Sequence, residues 1–255
     1  KSNELALSVV DGSLVCAPGK GGNWRLHARY DPARSRFVDL KLTTLKEAER
    51  VDRTRIDAGR TIVSDRGYGR VRDFQAILTQ GSDFITRVGW RAVRMRDAAG
   101  QPLDVVAVLP ADDTPLDQDV WVKGITRPLR LVIRRLPPEA AEKARRKRAR
   151  KASKGGNKLD PRTTKAAGYL ILLTSLARNA QPAEQVVAIY PHRWQIEIGF
   201  KRLKTLGGLD ELPAADPRLA RSWILAHLIA AVLTDDLANE IVGFPPSAGP
   251  IITQA

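Results

Sequence analysis

The sequence predicts an α/β fold built on a mixed sheet, and three observations predict it. The first part of the chain alternates apolar and polar residues in three runs separated by turns, as half-buried strands do. A short run, Thr61-Ile62-Val63-Ser64-Asp65, then ends in a glycine-containing turn ahead of a segment with helical spacing. Much later the most apolar short run, 169–176, leads into helical patterns. That order is the one of an RNase H-like fold: a mixed five-stranded sheet flanked by helices, here with a strand-rich insertion before the last core strand.

Taken in order, 5–16 is β-branched and apolar around Asp11, and 24–30 and 36–44 alternate. Ala17, Pro18, Gly19, Gly21 and Gly22 mark the first turn, and Asp31-Pro32 the second, so an antiparallel meander is expected. Residues 45–54 fit a short polar helix and 71–79 a longer amphipathic one. From 84 to 136 the pattern returns to strands and contains Trp90 and Trp121. A polar helix is expected over 139–154, a linker over 157–165, a buried central strand over 169–176, and helices over 182–189, 191–206 and 217–241. The expected division is 1–83 for the first part of the core, 84–168 for the insertion, 169–244 for the second part and 245–255 for a tail.

Lys and Arg outnumber Asp and Glu by 42 to 28, a formal charge of +14 and a pI near 10.3. Such an excess favours a polyanionic partner, because each neutralised phosphate releases condensed counterions. From 143 to 154 eight of twelve residues are basic, a stretch suited to tracking a DNA backbone. The single cysteine, Cys16, forbids an intrachain disulfide and fits a reducing compartment. His27, His192 and His227 match no zinc spacing. The longest apolar run, 224–233, is too short to span a bilayer, so no membrane role is expected. The chain starts at Lys1 rather than Met, and a longer parent protein is expected.

The densest chemistry lies in Tyr190-Pro-His-Arg193-Trp-Gln-Ile-Glu197-Ile-Gly-Phe-Lys201-Arg-Leu-Lys204. With Tyr190 as zero on a helix, Arg193, Glu197, Lys201 and Lys204 fall at about 300°, 340°, 20° and 320°. One carboxylate thus shares a stripe with three cations and a phenol. A metal-held phosphodiester needs that mixture: a carboxylate for the cation, and Arg or Lys for the other phosphate oxygens. The competing reading is a solvated face with Glu-to-Lys pairs. Asp11 before Gly12 also suits a plain turn, and Asp65 before Arg66 and Gly67 a plain cap. Glu139, Glu142 and Glu184 are further acids without comparable phosphate-binding company.

The spacing Tyr-x2-Arg-x3-Glu-x6-Lys resembles the signature of one group of DDE transposases, the insertion-sequence "IS-four" family. Val9-Val10-Asp11-Gly12-Ser13 is similar to that family's first aspartate turn, with Ser for Thr, and Ser64-Asp65-Arg66-Gly67-Tyr68-Gly69 resembles its second. Trp24-Arg25-Leu26-His27 and Phe84-Ile85-Thr86-Arg87 also read like it, and the resemblance runs from about residue 6 to 220.

The resemblance implies that Asp11, Asp65 and Glu197 are catalytic carboxylates holding two Mg²⁺ or Mn²⁺ ions, and that Tyr190, Arg193, Lys201, Lys204 and Arg66 contact DNA. It implies metal-dependent cleavage at transposon ends and strand transfer into target DNA, by a homodimer in a synaptic complex. A prokaryotic cytoplasmic, nucleoid-associated protein is expected. In relatives with a strand-rich insertion an aromatic residue there stacks on a flipped base; Trp90 and Trp121 lie in the matching region, and a plain core tryptophan is the competing reading for either. The end-recognition domain that usually precedes such a core is not in this sequence, and 245–255 does not resemble a dimerisation helix. The rival expectations are a catalytically silent DNA-binding remnant and an RNase H-like nuclease.

DNA affinity should fall steeply with salt and tolerate sequence changes. Deleting 143–154 should flatten the slope of log K against log salt, by about 0.9 for each phosphate that this stretch neutralises. An unchanged slope would show that it does not touch DNA.

Overall fold

The structure, a computed structural model, describes residues 5–16, 24–205, 208, 209, 212 and 216–242. The glycine-rich first turn and the 245–255 tail therefore lie outside the described residues. The chain forms two compact units, Lys1–Val63 with His192–Ala255, and Ser64–Pro191.

In the first unit β1 (Leu7–Val15), β2 (Trp24–Asp31), β3 (Arg36–Thr44) and β4 (Thr61–Ser64) make the expected meander plus one parallel strand, in the order β3-β2-β1-β4. β1 runs antiparallel to β2, with Asp11 opposite Ala28 and Gly12 opposite His27, and parallel to β4, with Val9 opposite Val63. The sheet is therefore mixed. Val9, Val10, Val15, Leu26, Ala28, Ile62 and Val63 are buried, and the adjacent pairs Val9-Val10 and Ile62-Val63 show that β1 and β4 are covered on both faces there. The β2–β3 turn is built by Asp31: its Oδ1 accepts from the backbone N–H of Ala33 and Arg34, at 3.0 and 3.3 Å. Its Oδ2 pairs with Arg60 at 3.1 Å.

The helix α5 (Trp194–Thr205) packs on β1 and β2 through Ile196, Gly199, Phe200 and Leu203. Gly199 sets how close it comes. A Cβ there would stand 2.8 Å from Phe37 Cζ and 3.2 Å from Tyr30, so any side chain would push α5 off the sheet. Tyr30 meets Phe37 edge-on and Phe37 meets Phe200, with centroids 5.2 and 5.5 Å apart. The last helix, α6 (Pro217–Val242), buries Ala220, Ile224 and Leu228 and exposes Leu219, Leu225, Ile229, Leu233 and Leu237. No helix among the described residues is long and apolar enough to cross a membrane.

The second unit carries α1 (Val71–Thr79), β5 (Asp83–Arg87), β6 (Met95–Arg96), β7 (Leu116–Val122), β8 (Leu129–Arg135), α2 (Pro138–Lys154), α3 (Pro161–Ala167), β9 (Tyr169–Thr174) and α4 (Ala183–Ile189). Its sheet has the order β5-β9-β8-β7-β6, and β9 pairs antiparallel with β5 on one side and β8 on the other. The apolar run at 169–176 is thus a central strand, as its composition required. A mixed sheet flanked by helices is the fold class expected of an RNase H-like protein.

Three local expectations need correction. Residues 45–54 form only a 3-10 turn at Val51–Arg53, because Arg50 and Thr54 on either side are extended and no side chain caps the turn. The expected linker over 157–165 contains α3, started by Asp160, whose Oδ1 accepts from Arg162 N–H at 2.7 Å, with Pro161 in the first turn. Tyr190 to Arg193 is a separate 3-10 turn, so Tyr190 does not lie on the α-helical stripe of Glu197.

On the face of the first sheet that Gly12 occupies, His27 Nε2 bonds Thr43 Oγ1 at 2.9 Å, while its Nδ1 is buried without a partner among the described residues. Burial, then the charges of Arg25 and Arg53, lower its pKa from 6.5 to about 4, against a raising effect from Glu47. Between those values the unfolded chain binds a proton that the folded one does not. His27 therefore stabilises the fold fully above pH 6.5, and the contribution is lost as pH falls toward 4, up to about 3 kcal/mol. Urea unfolding across this range should show stability rising with pH in the wild type and a shallower rise in His27→Gln. Equal slopes would show that His27 does not cause the acid sensitivity.

Candidate active site

Asp11 sits where β1 leaves the buried Val9-Val10 pair, and its side chain is only partly exposed, at 19%. Its Oδ1 accepts from the N–H of Gly12 at 2.8 Å. Gly12 points to the opposite face, where a Cβ would meet Glu49 Oε1 at 2.9 Å; Glu49 in turn faces Arg25 at 3.7 Å. The Asp-Gly pair is therefore inside a strand, not in a turn: Asp faces the helix side of the sheet and Gly makes room for a carboxylate on the other.

Arg193 ends the 3-10 turn that leads into α5, and it joins the strand to the helix. Its Nη2 contacts Glu197 Oε1 at 2.6 Å, one helical turn on, and its Nη1 lies 3.6 Å from Asp11 Oδ2. One guanidinium thus spans two carboxylates that stand far apart in sequence. Arg193 is mostly covered, at 17% exposure, and Glu197 more open, at 35%. Lys201 is exposed and Lys204 half-buried farther along α5. The pair can offer hard oxygen ligands to a divalent cation, with a cation already neutralising them in its absence.

Asp65 and Tyr190 belong to the other unit. Asp65 Oδ1 accepts from Gly67 N–H at 2.7 Å and caps the 3-10 turn Arg66–Tyr68, so the capping role read as an alternative is real. Its residue is half-buried, which leaves it accessible for a second role. The preceding Ser64 is fixed by a buried bond to Thr86 Oγ1 at 2.8 Å. Tyr190 is buried. Among the described residues no group of three or more His, Cys, Asp or Glu side chains is assembled to hold a metal ion. Of the expected residues, then, Asp11, Arg193 and Glu197 are brought together within the first unit.

Of the two tryptophans, Trp90 is half-buried beneath the guanidinium groups of Arg91 and Arg162, at 4.1 and 4.6 Å from its ring centroid. Trp121 on β7 is 36% exposed. Sequence reasoning did not single out Arg91, Arg162 or Thr163 around Trp90. Residues 90 and 163 are too distant in sequence for any local pattern to connect them.

The family described as "Transposase DDE domain" matches residues 5–233. The chain is 39% identical to the transposase of insertion sequence IS421 from Escherichia coli, over 95% of this chain and 69% of that protein. The InsL protein of insertion sequence IS186A from Escherichia coli K12 is similar at the same identity and coverage. The transposase of IS231B from Bacillus thuringiensis subsp. berliner is 34% identical over 222 residues, 78% of this chain and 46% of that protein.

If Asp11 and Glu197 hold a divalent cation, as the sequence motifs imply, Arg193 competes with it. Mn²⁺ binding to the DNA-free protein, followed by electron paramagnetic resonance, should then tighten in Arg193→Ala by roughly ten- to a thousandfold, the range for one charge about 4 Å away between water-like and near-surface screening. Weaker or unchanged Mn²⁺ binding would mean that this pair is not a cation site.

Proposed function

Because the chain belongs to the transposase DDE domain family, we propose that it is the catalytic core of a cut-and-paste DNA transposase of the IS-four group. Two sequence features support the group: the Tyr190, Arg193, Glu197 and Lys204 spacing, and the Asp-Gly-Ser and Asp-Arg-Gly-Tyr segments around Asp11 and Asp65. The observation that carries the mechanism is the contact of one guanidinium with both Asp11 and Glu197.

The donor set fits hard divalent ions, since both carboxylates are partly open and face one cationic group. Asp11, Asp65 and Glu197 would hold two Mg²⁺ or Mn²⁺ ions, which supply activation of the attacking oxygen and stabilisation of the leaving one. Arg193 then turns from the carboxylates to the strand and holds a non-bridging phosphate oxygen, as a guanidinium fork does well. Lys201 and Lys204 extend that grip along α5, while Arg66 and Tyr190 contribute from the second unit. Cleavage of a phosphodiester by water frees a 3′-OH, and that hydroxyl attacks a target phosphodiester and expels its 3′-oxygen, so bonds balance without an external energy source.

The partners are the transposon ends and target DNA, consistent with the +14 charge and the exposed basic face of α2. A homodimer is supported by the apolar residues that α6 exposes, from Leu219 to Leu237. Trp121, 36% exposed, is more open than Trp90, which two guanidinium groups cover, and is the better candidate to stack on a flipped base. The setting is the prokaryotic cytoplasm, in association with the nucleoid.

Glu197→Gln keeps the size of the side chain and removes the charge that holds a divalent ion. In the native full-length protein this change should abolish Mg²⁺-dependent nicking of the element's ends and leave metal-free DNA binding intact or slightly tighter. Equal nicking by the variant would remove Glu197 from the mechanism. No Mg²⁺- or Mn²⁺-dependent cleavage by the wild type would identify a silent DNA-binding remnant.

A further inference from the structure

A pocket of about 360 Å³ lies wholly within the second unit, lined by Arg66, Trp90, Arg91, Arg148, Thr163 and Ile171 among others. Its residues come from the turn after Asp65, the loop after β5, the helices α2 and α3, and the strand β9. Ala166, Ala167 and Ile171 give it an apolar floor, and all three are buried. The walls are cationic. Arg91 pairs with Asp160, and Arg162, beside the pocket, pairs with Asp104; both guanidinium groups lie on the Trp90 ring. The indole N–H of Trp90 donates to Thr163 Oγ1 at 3.3 Å, which fixes the ring.

Arg66 and Arg148 differ from their neighbours. Neither has a carboxylate partner among the described residues, both are half-buried, and the Nε of Arg66 is buried with no hydrogen-bond acceptor. A partly buried guanidinium with no anionic partner is costly unless an anion meets it. The two charges left over, a hydroxyl and an apolar floor match a phosphodiester with its sugar. A free base is a poorer match, because cations already cover the indole.

We infer that this pocket binds one backbone phosphate of the DNA strand, held by Arg66 and Arg148 against Trp90 and Thr163. The inference rests on the transposase reading and deepens it. Arg66 directly follows Asp65, so the pocket seats the strand one residue from a catalytic carboxylate. Its role is to set the register of the strand on the second unit. Within the basic stretch of α2 it gives Arg148 a defined seat, whereas Arg146 and Arg150 remain on the exposed face.

The test measures binding of an element-end oligonucleotide by the native protein against salt. The double variant Arg66→Gln with Arg148→Gln should reduce the slope of log K against log salt by about 0.9, the value for one phosphate no longer neutralised, and each single variant by part of that. Arg148→Lys keeps the charge and should retain the wild-type slope. A scan of neutral methylphosphonates along the oligonucleotide should find one linkage whose substitution weakens the wild type and leaves the double variant unaffected. If the Gln variants fail to fold, the same linkage is sought in the wild type, as the one whose neutralisation abolishes the DNA-dependent fluorescence change that Trp90→Phe removes. A wild-type slope in the double variant, or no such linkage, overturns the pocket while leaving Glu197-dependent cleavage as evidence for the transposase. A wild type that binds no DNA overturns both.

Discussion

Two carboxylates that must stand close to share a cation repel each other whenever the cation is gone. In this protein Arg193 resolves the problem, bonded to Glu197 and within 3.6 Å of Asp11. Much of the first unit serves that contact. The parallel pairing of β1 with β4 carries Asp11 on a strand buried at Val9 and Val10, and the absence of a side chain at Gly199 lets α5 settle on Phe37 and Tyr30. The guanidinium, in contact with an acid on each, ties the strand to the helix.

The second unit solves a different electrostatic problem. Arg130 is buried on β8 and pairs with Asp117, and its Nη1 donates to the carbonyls of Leu176 and Gln181, both at 2.9 Å. Arg178 caps the same Asp117 from outside, and the two guanidinium groups hold the Asp117 carboxyl below its ordinary range despite burial. The loop from β9 to α4 is thereby tied down by charge-assisted bonds in addition to the buried Leu176. That loop leads into the segment that carries Tyr190 and, beyond it, Arg193. Fixing it limits the freedom of the chain just before its most chemical stretch.

Much of this was legible in the residues because the period of burial matches the element. The apolar run of β9 and the spacing of α1 each announce a burial geometry that the fold then uses, whereas β2, read as a half-buried alternating strand, is buried continuously from Leu26 to Asp31, on both faces. The acids and Arg193 were legible through motif order, not through local chemistry. What was missed turns on single interactions. The start of α3 depends on Asp160 capping its own helix two residues on, a signal weaker than the surrounding loop composition. Residues 45–54 look helical by polarity, yet Glu49 is recruited by Arg25 on β2 and Glu47 by Arg53 within the segment itself. The pocket around Trp90 draws on five separate elements, Ile171 of β9 included, and no periodicity joins them.

The adjacency of Asp11 and Gly12 carries a genetic consequence. Neighbouring residues in a strand look to opposite faces, so an in-frame insertion of one codon within β1 ahead of this pair would turn each to the other face. Asp11 would then be driven into the space beside Glu49, and its place on the helix side would pass to the residue before it. A point substitution at the same spot removes one carboxylate and leaves the sheet intact. Small length changes upstream of Asp11 should therefore be more severe lesions than replacement of Asp11 itself. Among decaying copies of such a gene, those two kinds of damage would leave different proteins: misfolded chains in one case, and folded, inert DNA binders in the other.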